Sequence, residues 1–181
     1  MSARISRATT IDELGAIVCE ALKEAGIEAV LTGGAVVTIY SKNEYQSYDL
    51  DFVVPGLAKN VDSTMKLLGF TKEKGRHWVH PKTKFFVEFP GSILAIGDNT
   101  DIETKELKTK AGTLRLLTPT SSLMDRLAAY YHWNDLQGLD QAVSIAKHQT
   151  VKLAEVRRWS IAEGMSEKFE KFLKALKHGS T

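Results

Sequence analysis

The sequence predicts an α+β fold in which a strand-rich portion, residues 1–117, is followed by a helical region, residues 118–181. Three observations carry that expectation. β-Branched and aromatic segments stopped by Gly and Pro dominate up to about residue 117. Apolar repeats at helical period dominate after it. The composition of the 181-residue chain, 43% hydrophobic and 25% charged, sits near the globular average, and neither an internal repeat nor a low-complexity tract interrupts it.

The elements follow in order. Thr10-Ile11-Asp12-Glu13 has capping-box spacing, and Leu14, Ile17, Val18, Ala21 and Leu22 recur at helical period until Gly26, which predicts a helix over about 11–25. Glu28-Ala29-Val30-Leu31 reads as a short strand ending at Thr32-Gly33-Gly34. Residues 35–40, Ala-Val-Val-Thr-Ile-Tyr, admit two readings: β-branched content favours a strand, whereas a start directly after a glycine pair favours a buried helix. Propensity alone selects the strand. Residues 48–54 stop at Pro55-Gly56 and read as a strand, and the apolar Leu50, Phe52, Val53 and Val54 make it a central one. Leu57, Val61, Met65 and Leu68 mark a helix over 57–68 closed by Gly69. Strands at 76–80 and 84–89 flank Pro81-Lys82-Thr83, and 102–108 and 112–117 form a further pair. Thr118-Pro119 supplies an N-cap and a proline at the first helical position for a helix over 119–131. Helices at 135–148, 151–163 and 166–177 complete the chain, the last capped by Ser166.

Composition excludes several classes. No run approaches the ~18–20 apolar residues of a membrane span, and Met1-Ser2-Ala3-Arg4 leads into polar residues, so a cytoplasmic protein with no membrane partner is expected. The single cysteine, Cys19, rules out an intrachain disulfide and a Cys-rich zinc ribbon; on the apolar face of the first helix it reads as an inert core thiol. Net charge is +2, but residues 147–181 hold eight Lys/Arg against four Glu, leaving −2 for the first 146. So small a surplus reads as a solvated helix face rather than a nucleic-acid surface. The chain has neither a Walker A motif nor a G-x-G-x-x-G.

The chemistry concentrates in three places. Asp49 and Asp51, two apart on a strand, leave the same face with Cα atoms about 6.5–7 Å apart, and a divalent cation resolves the repulsion between them. Gly33-Gly34 follows an apolar strand and lets a phosphate approach backbone N–H groups. Glu88 is a carboxylate inside the apolar run Phe85-Phe86-Val87-Glu88-Phe89, where an unpaired charge is costly. Elsewhere, His77 and His80 are three apart on a strand and point to opposite faces, against a shared metal. Trp78 amid Lys72, Lys74, Arg76, Lys82 and Lys84 reads more as core than as a base-stacking platform.

These residues resemble the nucleotidyltransferase superfamily of the DNA polymerase β type, in its minimal, toxin-like branch. The shared pattern is a strand and glycine turn (Val30-Leu31-Thr32-Gly33-Gly34), an Asp-x-Asp strand (Ser47-Tyr48-Asp49-Leu50-Asp51-Phe52) and a later carboxylate (Phe86-Val87-Glu88-Phe89). The Ser-x-Asp-x-Asp form and the segment 116–136 are similar to abortive-infection, AbiEii-like members, with Arg126 where those carry Lys and Asp135 matching their Asp. The resemblance implies a mixed sheet with flanking helices followed by a C-terminal helical extension, and it makes 35–40 a helix. It also implies that Asp49, Asp51 and Glu88 are catalytic and hold Mg²⁺ or Mn²⁺, while Gly33, Gly34, Ser47, Lys42 and Arg126 meet the nucleotide. The implied activity is transfer of a nucleoside monophosphate from an NTP to an RNA or protein acceptor, by the toxin of a toxin–antitoxin or phage-defence pair with a cognate antitoxin as partner. Two departures stand out: Tyr45-Gln46 replaces the basic residue upstream of Ser47, and His132 and Asn134 replace Arg and Lys. They leave a second reading, a catalytically degenerate domain that binds nucleotide, nucleic acid or a partner without turnover.

Overall fold

Seven strands form one mixed sheet in the computed structural model, which describes residues 5–56, 59–73 and 75–178. They are β1 (Val30–Thr32), β2 (Asp49–Val53), β3 (Thr71–Lys72), β4 (Trp78–Val79), β5 (Phe86–Gly91), β6 (Thr104–Thr109) and β7 (Gly112–Leu117), in the order β3-β4-β5-β2-β1-β7-β6. β2 lies at the centre, antiparallel to β1 and parallel to β5. Its alternation explains that place. Leu50 and Phe52 are fully buried, as are Leu31 opposite Phe52 and Val87 beside Leu50, so one face of the central strands is continuous core. Each such side chain contributes about 1.5–3 kcal/mol of transfer free energy. The helix α1 (Ile11–Glu24) covers that face, and Gly15 lets it approach: a Cβ there would already sit 3.2 Å from Leu114 and 3.5 Å from Leu50. The capping box predicted for α1 is present, Glu13 Oε2 accepting from Thr10 N at 3.1 Å.

Residues 35–40 are helical, within α2 (Gly33–Tyr40), against the strand that propensity selects. Ala35, Val36 and Val37 have no exposed surface, so tertiary burial on every side outweighs the β-branched preference. Tyr40 fixes the end of this helix by donating its buried hydroxyl to Leu117 O at 2.7 Å. Burial pushes the Tyr40 phenol well above its ordinary range.

The remaining helices are α3 (Val61–Leu67), α4 (Pro119–Trp133), α5 (Leu136–His148), α6 (Leu153–Ala162) and α7 (Ser166–His178). α3 is shorter than the predicted 57–68; Met65 is buried as expected, whereas Leu57 lies outside the described residues. Thr118 caps α4 by accepting from Ser121 N at 3.2 Å, as Thr118-Pro119 predicts. Gly138 lets α5 lie against α4, since a Cβ there would sit 2.7 Å from the Arg126 carbonyl oxygen. Phe169 and Phe172 of α7 are buried, and Trp159 of α6 stacks on Tyr131 with centroids 5.4 Å apart. The helical extension joins the sheet through α2, where Gln149 Nε2 donates to Tyr40 O at 3.0 Å.

Two strand expectations change. The strand expected over 76–80 contracts to β4, and a further strand, β3, pairs beside it. β3 has two exposed residues and no apolar alternation to betray it. β5 runs through Pro90, which a register shift against β2 between Asp51 and Val53 accommodates. Cys19 is buried, and burial raises its thiol pKa, which keeps it a neutral core side chain. Among the described residues no helix is long and apolar enough to cross a membrane.

Candidate active site

The turn from β1 into α2 is built for close approach. Gly33 has φ +68°, and a Cβ on it would lie 2.6 Å from Asp51 Oδ2, so both backbone conformation and space demand glycine. At Gly34 a Cβ would meet Ser47 Oγ at 3.1 Å. Thr38, one turn into α2, donates to Gly34 O at 3.2 Å and accepts from Ser47 N at 2.9 Å. Ser47 is itself buried and donates its hydroxyl to the Asp49 carboxylate and to Asp49 O. The loop before β2 is thereby tied to the glycine turn, and Asp49 is oriented from below.

Asp49 and Asp51 leave the same face of β2, and Asp51 is in register with Glu88 on β5. Adjacent strands run ~4.8 Å apart, so carboxylates from two separate stretches of chain crowd one another. Asp51 feels this most. Burial, followed by the charges of Asp49 and Glu88, pushes its pKa up to about 6, against a smaller lowering by Arg126. Thr32 Oγ1 steadies the strand by donating to Asp51 O at 3.2 Å.

Two further groups complete the cluster. His77 Nε2 pairs with Glu88 Oε1, an ion pair when the imidazole is protonated, and its ring lies 4.7 Å from that of Phe86. Arg126 reaches in from α4. Burial works against its charge, but Asp125, Asp51 and Asp135 more than offset that, and its pKa is raised. Asp125 Oδ2 accepts from Arg126 Nη2 at 2.5 Å and Nε at 3.2 Å, and Gln141 Oε1 from Nη1 at 3.4 Å.

Among the described residues no three His, Cys, Asp or Glu side chains form a ready-made metal-binding group. Asp49 accepts from Ser47, and Glu88 is paired with His77. The donor chemistry nevertheless fits a hard divalent cation. All three groups are carboxylates, their mutual repulsion is expressed in Asp51, and the glycine turn leaves the approach to Asp51 free of side chains.

The structure brings Gly33, Gly34, Ser47, Asp49, Asp51, Glu88 and Arg126 together. It does not bring Lys42. That residue follows the far end of α2, with roughly 9 Å of helix at ~1.5 Å per residue between Gly34 and Tyr40. Sequence reasoning missed His77 as a partner of Glu88, although the adjacent Trp78 was a signal: a buried Trp78 turns His77 to the opposite face. His80 points elsewhere, its ring 5.2 Å from Phe70. Asp125 was adjacent to a named residue yet has no signal of its own in the sequence.

No family model matches the sequence, and no curated protein sequence matches it. Solved structures do resemble the fold. The crystal structure of an antigenic nucleotidyltransferase-like protein from Paracoccidioides brasiliensis is similar with a TM-score of 0.63 at 14% identity, over 95% of this chain and 94% of that one. The solution structure of the antibiotic-resistance factor ANT(2'')-Ia is similar with a TM-score of 0.51 at 13% identity, over 90% and 92% of the two chains. The architecture expected from the sequence, a mixed sheet with flanking helices and a helical extension, is therefore a nucleotidyltransferase-like fold.

Proposed function

We propose that this nucleotidyltransferase-like chain is a metal-dependent nucleotidyltransferase, moving a nucleoside monophosphate from an NTP to a hydroxyl of an RNA or protein acceptor. The observation that carries the reading is the register of Asp51 with Glu88 beside the Gly33-Gly34 turn, with Asp49 on the same face. Mg²⁺ or Mn²⁺ held by Asp49, Asp51 and Glu88 would supply charge neutralisation at the phosphates. Ser47 orients Asp49, and His77 orients Glu88. The backbone at Gly33 and Gly34 admits the phosphate tail to the N-terminus of α2. Arg126, aimed by Asp125, meets the charge that develops there. Glu88 takes the acceptor's proton as the new oxygen–phosphorus bond forms and pyrophosphate leaves. In the cell we assign the chain the role of a cytoplasmic toxin with a cognate antitoxin, on the resemblance of its Ser-x-Asp-x-Asp segment alone.

One observation favours a second reading, a binding domain without turnover: Tyr45-Gln46 stands where a basic residue is expected before Ser47. A labelling experiment separates the two. The protein is incubated with each α-labelled NTP, Mg²⁺ or Mn²⁺, and total RNA or cell extract, beside Asp49→Ala and Asp51→Ala. Label transfer that disappears in both variants is expected. Nucleotide binding with no transfer favours the second reading, and equal label in all three proteins contradicts the site.

A further inference from the structure

Just ahead of Asp49, at the end of the sheet where the central strand β2 begins, a cavity of about 310 Å³ opens between the start of α1, the 43–48 loop and the segment entering β5. Its wall carries two cations, Arg7 and Lys84, the amides of Asn43 and Gln46, and the rings of Tyr48 and Phe85. Tyr48 is 47% exposed, unusual for so large a ring. Its centroid is 6.3 Å from that of Phe85 with 32° between the planes, and Lys84 Nζ stands over both at 5.1 and 5.4 Å. The acid in this wall, Asp12, accepts from Thr10 Oγ1 at 2.5 Å. Between residues 66 and 84 the sequence has six Lys/Arg against Glu73 alone, in a chain whose net charge is +2. Of these, Lys84 lines the cavity, whereas Lys72 and Arg76 line a separate one beside Val54 and Gly91. Trp78, the aromatic the sequence places among these cations, is buried and serves the core, so the rings open to a ligand belong to Tyr48 and Phe85.

We propose that this groove binds single-stranded nucleic acid, with one base against Tyr48 and Phe85 and the adjoining phosphates on Lys84 and Arg7. Flat rings beside cations match a base beside its phosphate. An acidic peptide would satisfy the cations and leave the rings without a partner. Ser47 lines the groove and donates to Asp49, so a strand seated here lies one side chain from the carboxylates. That this strand is the acceptor of the nucleotidyl group rests on the function proposed above; the binding itself does not.

Fluorescence anisotropy of the full chain with fluorescein-labelled oligouridylate or oligothymidylate, at about 50 and about 200 mM NaCl, tests the groove. Arg7→Ser/Lys84→Ser is expected to weaken binding about tenfold or more and to lower the log–log salt slope by about 1–2. Tyr48→Ala should weaken it about fivefold with the slope unchanged, and Tyr48→Phe should restore it, since the ring rather than the hydroxyl stacks. Lys171→Ser/Lys174→Ser on α7 should leave affinity within about twofold, because those cations lie outside the groove. The proposal is overturned if neither oligomer binds below about 100 µM at the lower salt, if the α7 pair carries the affinity instead, or if polyglutamate competes as well as the oligomer. Label transfer to a protein acceptor without oligomer binding refutes the groove alone. Groove-dependent binding without transfer refutes the transferase alone.

Discussion

The centre of the sheet and its β3–β4 edge contribute to one site by different physics. At the centre, β1, α2 and β2 are fixed by burial: Leu31, Val36, Leu50 and Phe52 have no exposed surface, and the glycine turn fits only because nothing larger does. At the edge, Thr71 and Lys72 are exposed, β4 is two residues long, and His77, which reaches Glu88, is held by that pairing and by the Phe86 ring. Packing sets the position of Asp51; polar contacts set the orientation of Glu88. Substitutions at the centre should therefore move stability, and substitutions at the edge should move activity with little stability change.

The largest expected effect is at the centre. Phe52→Ala should cost about 3–5 kcal/mol of folding stability, and Lys72→Ala at the edge less than about 0.5 kcal/mol, both by denaturant titration. Similar losses for the two would erase the contrast.

Asp51→Asn should go the other way. The pKa of Asp51 is raised from 3.8 to about 6 in the fold, so the folded protein holds that proton more tightly than the unfolded chain. Its stabilising contribution is complete below pH 3.8 and lost as pH rises through about 6. Measured in EDTA at pH 8, Asp51→Asn should gain up to about 3 kcal/mol, and stability should fall less between pH 4 and 7 than in the wild type. No gain would mean that Asp51 is not held against its charge.

Gly33→Ala should lose about 1–3 kcal/mol, from the positive φ and the collision with Asp51, and should lose label transfer with it. A fully active, fully stable Gly33→Ala would remove the need for the turn.

His77→Ala should cost less than about 1 kcal/mol of stability because the imidazole is half-exposed, with label transfer reduced about tenfold by the loss of Glu88's orienting partner. Equal loss of stability and activity would make His77 a packing residue instead.

This contrast also sets what could be read in the sequence. Alternation and the Pro55-Gly56 stop located β2 and its two carboxylates, and the capping signals at Thr10 and Thr118 located two helices, because each is a local pattern. α2 escaped propensity because burial on all sides carries no period to distinguish helix from strand. The meeting of His77 with Glu88 depends on register between strands, and that of Arg126 with Asp51 on how α4 packs over the sheet. Neither is encoded in a local spacing. β3, two exposed residues long, had no pattern to offer.

Manganese binding followed by electron paramagnetic resonance, with and without NTP, tests whether carboxylates from β2 and β5 grip one cation. The wild-type chain should bind Mn²⁺ more tightly with NTP present, and Asp51→Asn and Glu88→Gln should each weaken that binding about tenfold or more. Mn²⁺ that fails to bind, or that binds all three proteins alike, would contradict it.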